Sequence, residues 1–280
     1  MTPTSNYLRC AGREIHYLDW GNGHDVVIAW HGLARTCRDM DDLAAHLAGR
    51  RYRVICPDTI GRGLSQWSPE PEREYCLAFY VRLAEALVDQ LGIERFHWVG
   101  TSMGGAIGTL AAAGALRRRM RSLVLNDNGP QLAAAAIARI RGYAGAPAAF
   151  DTVSELEQYF RTVYKPYGWL SDAQWRRLAE SSTRRLPDGR VTPHYDPAMV
   201  MQFTHHENEY QLWDAWDTLD LPVLCLRGES SDLLLRETTE LMKVRGPNAE
   251  VVEIAGCGHA PALNVPEQWA LVERFFVAAG

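Results

Sequence analysis

A Gly-x-Ser-x-Gly pentapeptide at residues 100–104 places Ser102 directly after an apolar run that is typical of a buried strand. The Ala-rich and Leu-rich stretch that follows, 106–116, predicts a helix. A strand, this pentapeptide and a helix in that order predict a sharp turn, in which small neighbours permit a strained serine backbone. The turn would present the hydroxyl beside the unpaired amides of the helix N-terminus. These residues could therefore support nucleophilic attack by Ser102, whereas the simpler alternative is a Gly-Ser turn between two core elements.

A serine hydroxyl becomes a good nucleophile only when a base takes its proton, and the base needs an acid that fixes its tautomer. His259 follows a predicted strand at 250–254 through a glycine-containing loop, and we predict that it is the base. Asp232 follows the predicted strand 222–226 in the same way, and we predict that it is the acid. Asp127 also lies just after a strand and is the competing candidate. Its Asn-Asp-Asn-Gly-Pro context is more typical of a residue that caps a turn.

Attack by a serine also requires two amide donors for the negative oxygen that develops. Met103 supplies one by position, because it follows the nucleophile. Leu33 is the candidate for the other, since it lies in the loop after the predicted strand 26–30. We assign the adjacent His31 and Gly32 to the substrate-binding loop, and we expect His31 to brace that loop by hydrogen bonds.

Strand and helix patterns alternate in the first and last parts of the chain. Strands are predicted at 14–18, 26–30, 52–56, 94–99, 122–125, 222–226 and 250–254, and helices at 39–47, 77–91, 106–116, 237–244 and 266–278. Strands separated by crossover helices predict an α/β fold with a mainly parallel sheet covered on both faces. Asn264 and Glu267 suit a capping box for the last helix.

This alternation stops between residues 131 and 217, where no clear strand is predicted. Helical patterns occur there instead, for example at 154–163 and 172–180. We therefore predict an α/β core built from residues 1–130 and 218–280, with a helical cap inserted at 131–217.

Composition narrows the class of protein. The chain has 280 residues, of which 47% are apolar and 22% charged, which is ordinary for a globular protein. Its net charge is −5 and it has no long basic block, so we expect no nucleic-acid partner. It has no signal-peptide pattern at its start and no apolar run of about 18 residues, so we expect a cytoplasmic protein without a membrane partner.

Metal sites and disulfides are not predicted. The six cysteines are scattered without a Cys-x-x-Cys pair and are expected to be buried thiols. His205 and His206 are adjacent, and adjacent residues point in different directions in a helix. We therefore predict no metal site there.

Several motifs in a fixed order resemble the α/β-hydrolase superfamily. They are His31-Gly32, Asp58-x-x-Gly61-Arg62-Gly63-x-Ser65, Gly100-x-Ser102-x-Gly104-Gly105, Asp232 and His259. The resemblance covers nearly the whole chain, with 131–217 in the position of the family's helical cap. It implies an eight-stranded, mostly parallel sheet, a Ser-Asp-His triad, an acyl-enzyme route and no cofactor. We expect Asp58 and Arg62 to hold the oxyanion loop in place.

Members of this superfamily differ in their nucleophile. Haloalkane dehalogenases and epoxide hydrolases use an aspartate, so Ser102 argues against both. Carboxylesterases, enol-lactone hydrolases, C–C hydrolases of aromatic degradation and perhydrolases all fit a serine. The C–C hydrolases tend to carry a more glycine-rich loop where this chain has residues 31–35.

The predicted cap indicates what kind of substrate to expect. It supplies many large apolar side chains, of which we assign Trp169 and Trp213 to substrate binding. Its arginines, Arg176, Arg177, Arg184 and Arg185, could bind a carboxylate, although a solvated helix face explains them more simply. We expect a serine hydrolase that cleaves small-molecule carboxylic esters with a small or medium apolar acyl or aryl group. The alternatives are lactone or C–C bond hydrolysis, a perhydrolase-like enzyme, and a ligand-binding receptor that retains the fold.

Overall fold

A computed structural model describes residues 2–280 of the chain. Its strands are β1 (Thr4–Cys10), β2 (Arg13–Trp20), β3 (Asp25–Trp30), β4 (Tyr52–Pro57), β5 (Phe96–Thr101), β6 (Met120–Asn126), β7 (Thr183–Arg185), β8 (Val191–Pro193), β9 (Val223–Gly228) and β10 (Glu250–Ile254). Eight of them form one sheet in the order β1-β2-β4-β3-β5-β6-β9-β10. β2 pairs antiparallel with β1 and β4, and the other pairings in this sheet are parallel. The predicted α/β fold with an eight-stranded, mostly parallel sheet is confirmed.

Helices connect and cover these strands. They are α1 (Asp41–Ala48), α2 (Pro71–Glu74), α3 (Leu77–Gln90), α4 (Met103–Ala113), α5 (Ala134–Ala144), α6 (Val153–Val163), α7 (Asp172–Ser181), α8 (Met201–His205), α9 (Trp213–Trp216), α10 (Arg236–Met242) and α11 (Pro266–Ala279). The described residues contain no helix with the length and apolar character needed to span a membrane.

The side chains of β3 alternate between two apolar layers, as expected for a strand covered on both faces. Ile28 and Trp30 pack into one layer with α3 and α4. Val27 and Ala29 pack into the other layer with α1 and α11. Both faces of the sheet are covered, so its central strands are held rigidly. The loops that start at the carboxyl ends of these strands therefore begin from fixed positions.

The predicted cap segment, residues 131–217, lies within the connection from β6 to β9 and contains α5 to α9. α6 and α7 pack together around a small apolar cluster that includes Phe160 and Trp175. β7 and β8 form an antiparallel hairpin in this segment, where the sequence predicts no strand. That expectation is wrong because strands of three residues are too short to show a period of two. The division into core and cap stays a prediction.

Two further local features differ from the sequence predictions. β1 was not predicted, and it forms the outer edge of the sheet. α11 begins at Pro266 after Val265, without a side-chain cap. The expected capping box of Asn264 and Glu267 is therefore wrong, because the N-cap position is Val265 and Asn264 precedes it. The Asn264 side-chain amide donates to the Trp169 carbonyl at 2.8 Å.

Candidate active site

Ser102 occupies the sharp turn between β5 and α4. Its backbone has φ 51° and ψ −113°, a conformation that is strained for a residue with a side chain. A Cβ atom at Gly100 would lie 2.2 Å from the Gly104 carbonyl oxygen, and one at Gly104 would lie 2.3 Å from the Trp30 carbonyl oxygen. The turn therefore requires both glycines of the pentapeptide, as the sequence predicts.

His259 connects this serine to a buried acid. Its Nε2 lies 3.0 Å from Oγ of Ser102, and its Nδ1 lies 2.6 Å from Oδ2 of Asp127. The carboxylate accepts a hydrogen bond from Nδ1–H, which leaves the Nε2 lone pair directed at the serine hydroxyl. The imidazole is one-fifth exposed, whereas the Asp127 side chain is fully buried. The three side chains thus form one hydrogen-bonded chain from a partly open edge to the interior.

Two groups, one at the end of β9 and one in the loop after it, hold the carboxylate of Asp127. The Gly228 amide donates to Oδ1 at 2.8 Å, and the Ser231 hydroxyl donates to Oδ2 at 2.6 Å. Asp127 itself has φ 52° and follows the last residue of β6. Together with His259, these donors satisfy a buried carboxylate that would otherwise be costly to desolvate.

Asp232, which the sequence analysis predicts as the acid, does not contact His259. Its side chain is 55% exposed and pairs with Arg139. This hydrogen bond lowers the pKa of the Asp232 carboxyl below its usual value. In the loop after β9 it is the preceding residue, Ser231, that turns inward, so the next side chain points to solvent. The competing candidate, Asp127, occupies the position beside the histidine, and the prediction is corrected accordingly.

The loop after β3 lies against the serine. A Cβ atom at Gly32 would lie 3.7 Å from Cβ of Ser102. Leu33 follows in this loop, and Met103 is the first residue of α4. The structure therefore places Met103 and the loop that carries Leu33 against Ser102, and the role of their amides as an oxyanion hole stays a prediction.

Buried charged side chains also contact this loop. Arg62 donates from Nε to the Leu33 carbonyl at 2.8 Å. Asp58 accepts a hydrogen bond from the Cys37 amide at 2.7 Å. These contacts agree with the expectation that Asp58 and Arg62 hold the loop in place.

His31 braces the same loop and does not face a substrate. It is completely buried; its Nδ1 lies 2.6 Å from the Gly32 carbonyl, and its Nε2 accepts the Thr59 amide at 2.9 Å. Accepting at Nε2 requires the neutral ring, and burial lowers the pKa of His31 to about 4. The bracing role is as expected, whereas the assignment of His31 to substrate binding is corrected.

Protonation of His31 is expected to destabilise the fold in acid. Because the pKa of His31 is about 4 in the folded protein and about 6.5 when unfolded, the unfolded chain binds the extra proton first as the pH falls. The free energy of unfolding should therefore drop between pH 6.5 and pH 4, with about 3 kcal/mol due to this residue. Urea unfolding of the wild type and His31→Gln at pH 7 and pH 4.5 measures the difference. An equally steep loss in the variant would contradict the assignment.

The assignment of two tryptophans to substrate binding stays a prediction, and the structure shows the surroundings of each. The Trp169 side chain is 71% exposed. The Trp213 indole donates to Gln131 at 2.9 Å and stacks under the guanidinium of Arg245 at 4.3 Å. The Trp169 ring thus faces mainly solvent, and the two Trp213 contacts are with residues outside the triad. Most of the other cap aromatics pack in the segment's own apolar cluster.

The cap arginines considered as carboxylate ligands are also engaged on the surface. Arg177 pairs with Asp42 at 2.6 Å, and Arg176 lies 3.8 Å from Glu157. Arg184 stacks on a tryptophan ring, and Arg185 donates to a backbone carbonyl within the hairpin. Arg176 and Arg177 lie on α7, where the expected solvated helix face accounts for them, whereas Arg184 and Arg185 lie on β7. All four arginines have contacts within the protein.

The cap segment contacts the loop that carries His259 on both sides of the histidine. The Gly258 amide donates to the Pro166 carbonyl at 2.7 Å, and the Ala262 amide donates to the Tyr167 carbonyl at 3.1 Å. These backbone contacts could not be predicted from side-chain patterns. They fix the histidine loop between the sheet and the cap segment.

Potential metal ligands are brought together at two places in the described residues. His16, Cys37 and Asp58 form one group, and Cys76, His206 and Glu209 form the other. Neither group includes a residue of the Ser102 site. The second group contains His206, one of the two adjacent histidines, together with Glu209, three residues later, and Cys76 from a distant part of the chain.

Comparison with known proteins identifies the class that this fold and site define. The family model described as "alpha/beta hydrolase fold" matches residues 25–264. The chain belongs to this family, and it is an enzyme of the hydrolase class.

Full-length relatives show a range of activities. The chain is 38% identical to a 3-hydroxybutyrate-oligomer hydrolase of Cupriavidus necator over 99% of both proteins. It is 28% identical to a 2-hydroxy-6-oxononadienedioate/2-hydroxy-6-oxononatrienedioate hydrolase of Paraburkholderia phymatum, over 97% of this chain and 93% of that protein. A crystal structure of an α/β hydrolase from Novosphingobium aromaticivorans is similar with a TM-score of 0.87 and 34% identity, over 99% of each chain.

Proposed function

We propose that this protein is a serine hydrolase that cleaves the ester bonds of short 3-hydroxybutyrate oligomers. The observation that carries the proposal is the hydrogen-bonded chain from Ser102 through His259 to Asp127, with distances of 3.0 and 2.6 Å. The full-length similarity to the 3-hydroxybutyrate-oligomer hydrolase supports the choice of substrate. Both partners in such an oligomer, the acyl group and the alcohol, are small, as expected from the sequence, but they carry a hydroxyl or carboxylate group and are not apolar.

The geometry supports an acyl-enzyme mechanism. His259 Nε2 takes the proton of Ser102 as Oγ attacks the ester carbonyl carbon, and Asp127 stabilises the imidazolium that forms. The amides of Leu33 and Met103 stabilise the negative carbonyl oxygen. When the ester C–O bond breaks, His259 returns the proton to the departing alkoxide, which leaves as the hydroxyl group of one 3-hydroxybutyrate unit.

Water completes the reaction by the reverse arrangement. His259 takes a proton from a water molecule, whose oxygen attacks the acyl carbon bound to Ser102. The C–O bond to the serine breaks and the proton returns to Oγ. The released acid then ionises in solution. We infer that the cap segment covers the site during these steps, since the Pro166 and Tyr167 carbonyls of this segment bind the loop that carries His259.

The linear dimer of 3-hydroxybutyrate is the substrate that tests the proposal. Incubation with the enzyme should release two equivalents of monomer, measured by liquid chromatography with mass detection. A p-nitrophenyl butyrate assay run beside it reports general esterase activity, and an enol lactone and a meta-cleavage dienoate represent the alternatives. Turnover of p-nitrophenyl butyrate without turnover of the dimer would overturn the proposed substrate, and preferred turnover of the lactone or dienoate would replace it.

A further inference from the structure

Arg35 is a buried cation with an unused donor. Its side chain is 3% exposed, and its Nε and Nη2 both donate to the carboxylate of Asp39 at 2.7 Å. Within residues 2–280, the third nitrogen, Nη1, is buried and has no hydrogen-bond partner. Buried polar groups are nearly always paired, so an unpaired N–H on a guanidinium suggests that its acceptor is a ligand.

The stem of the Arg35 side chain lies close to Ser102. Gly32 separates the two, because a Cβ atom there would lie 3.7 Å from Cβ of Ser102 and 3.9 Å from Cγ of Arg35. Arg35 also belongs to the loop that carries Leu33. A carboxylate a few bonds away from an ester held at Ser102 is therefore a candidate acceptor for Nη1.

The cap segment closes the other side of Arg35 with aromatic rings. Its Cζ lies 4.7 Å from the centre of the Tyr164 ring and 5.5 Å from that of Phe160. The rings stabilise the cation and exclude water from it. Asp39 is its ion-pair partner, and a second carboxylate would meet a desolvated donor with few competing water molecules.

The proposed substrate carries a carboxylate at a suitable distance from the reacting bond. In a linear 3-hydroxybutyrate oligomer, the alcohol side of the last ester ends in a free carboxylate, with only two carbon atoms between that group and the ester oxygen. This is the spacing at which a group near the serine could contact the carboxylate. An internal ester has no carboxylate at this position.

We propose that Arg35 binds the terminal carboxylate of the leaving group, so that the enzyme removes monomers from the carboxyl end of the oligomer. The inference rests on the proposed function. Arg35 acts here as a substrate-binding residue, since its Nη1 donates to the carboxylate and takes no part in proton transfer. The four cap arginines are not required for this recognition.

Masking the carboxylate tests the proposal directly. The wild type should cleave the dimer with a kcat/KM about 10- to 100-fold above that for the dimer methyl ester, as expected for one hydrogen bond between charged groups. Arg35→Gln should lose that factor on the free acid, mainly through KM, and change less than about threefold on the methyl ester. Arg35→Lys should keep part of the preference, because it keeps the charge.

Arg53→Gln is the control, since Arg53 is a partly buried arginine that likewise pairs with an aspartate, Asp19, but it lies near the start of β4. It should leave the preference for the free acid unchanged. Equal losses on both substrates in Arg35→Gln would assign Arg35 a structural role and overturn the proposal. If that variant fails to fold, Arg35→Lys and the wild-type comparison decide: equal wild-type rates on acid and methyl ester also overturn it.

The order of product release gives an independent readout. A trimer labelled with ¹³C in its carboxyl-terminal unit should release labelled monomer first. Release of unlabelled monomer first would contradict carboxyl-end recognition while leaving the proposed ester hydrolysis intact. Failure of the wild type to cleave either form of the dimer, with p-nitrophenyl butyrate still cleaved, would instead contradict the proposed substrate.

Discussion

Ser102→Ala is expected to lower kcat on the 3-hydroxybutyrate dimer by about 10⁵- to 10⁶-fold, since removal of the nucleophile abolishes the acyl-enzyme route. The Oγ that lies 3.0 Å from His259 Nε2 is the only atom removed. Residual turnover should remain somewhat above the uncatalysed rate, because the amides of the oxyanion loop still stabilise a tetrahedral intermediate formed by water. The measurement is steady-state monomer release at saturating dimer.

The variant must be folded for this result to count. Alanine at position 102 keeps the Cβ atom, so circular dichroism and the unfolding midpoint in urea should match the wild type closely. A folded Ser102→Ala protein with more than about a tenth of the wild-type kcat would show that another group attacks the ester.

Asp127→Asn is expected to lower kcat by about 10⁴-fold. An amide at this position no longer requires Nδ1–H, so the histidine adopts the tautomer that points a proton, not a lone pair, at the serine. The change also weakens the contacts with Gly228 and Ser231, which lie 2.8 and 2.6 Å from the carboxylate. Some loss of stability should therefore accompany the loss of rate, and KM should change less than kcat.

Asp232→Asn supplies the matched control, because the chemical change is the same and the position is the one that sequence order favours. Its carboxylate is 55% exposed and pairs with Arg139 on the surface, so we expect kcat within about threefold of the wild type. A large loss of kcat in Asp232→Asn together with a small loss in Asp127→Asn would show that Asp232, in the loop after β9, is the acid.

These two aspartates show where prediction from sequence reaches its limit. The turn at Ser102 was predictable because it depends on local residues: Gly100 and Gly104 allow the backbone approach that the structure shows. His259 was identified by its place after a strand. The acid depends on which of two neighbouring loops points a carboxylate inward, and that is decided by tertiary contacts of Gly228 and Ser231.

The fold was predictable to a similar degree. Alternating strands and helices indicated the parallel sheet, because strands covered on both faces have long apolar runs. The hairpin of β7 and β8 was missed, since each strand has three residues. The surroundings of the cap side chains were also beyond prediction: Trp169 is an apolar residue by type, yet its ring is exposed.

Titration with a fluorophosphonate measures most directly whether Ser102 is the nucleophile for oligomer hydrolysis. We predict that a single equivalent modifies the protein, that mass spectrometry places the adduct on Ser102, and that hydrolysis of the 3-hydroxybutyrate dimer falls in proportion to the modified fraction. Full modification of Ser102 with dimer hydrolysis retained would contradict the account, as would loss of activity with the adduct on another residue.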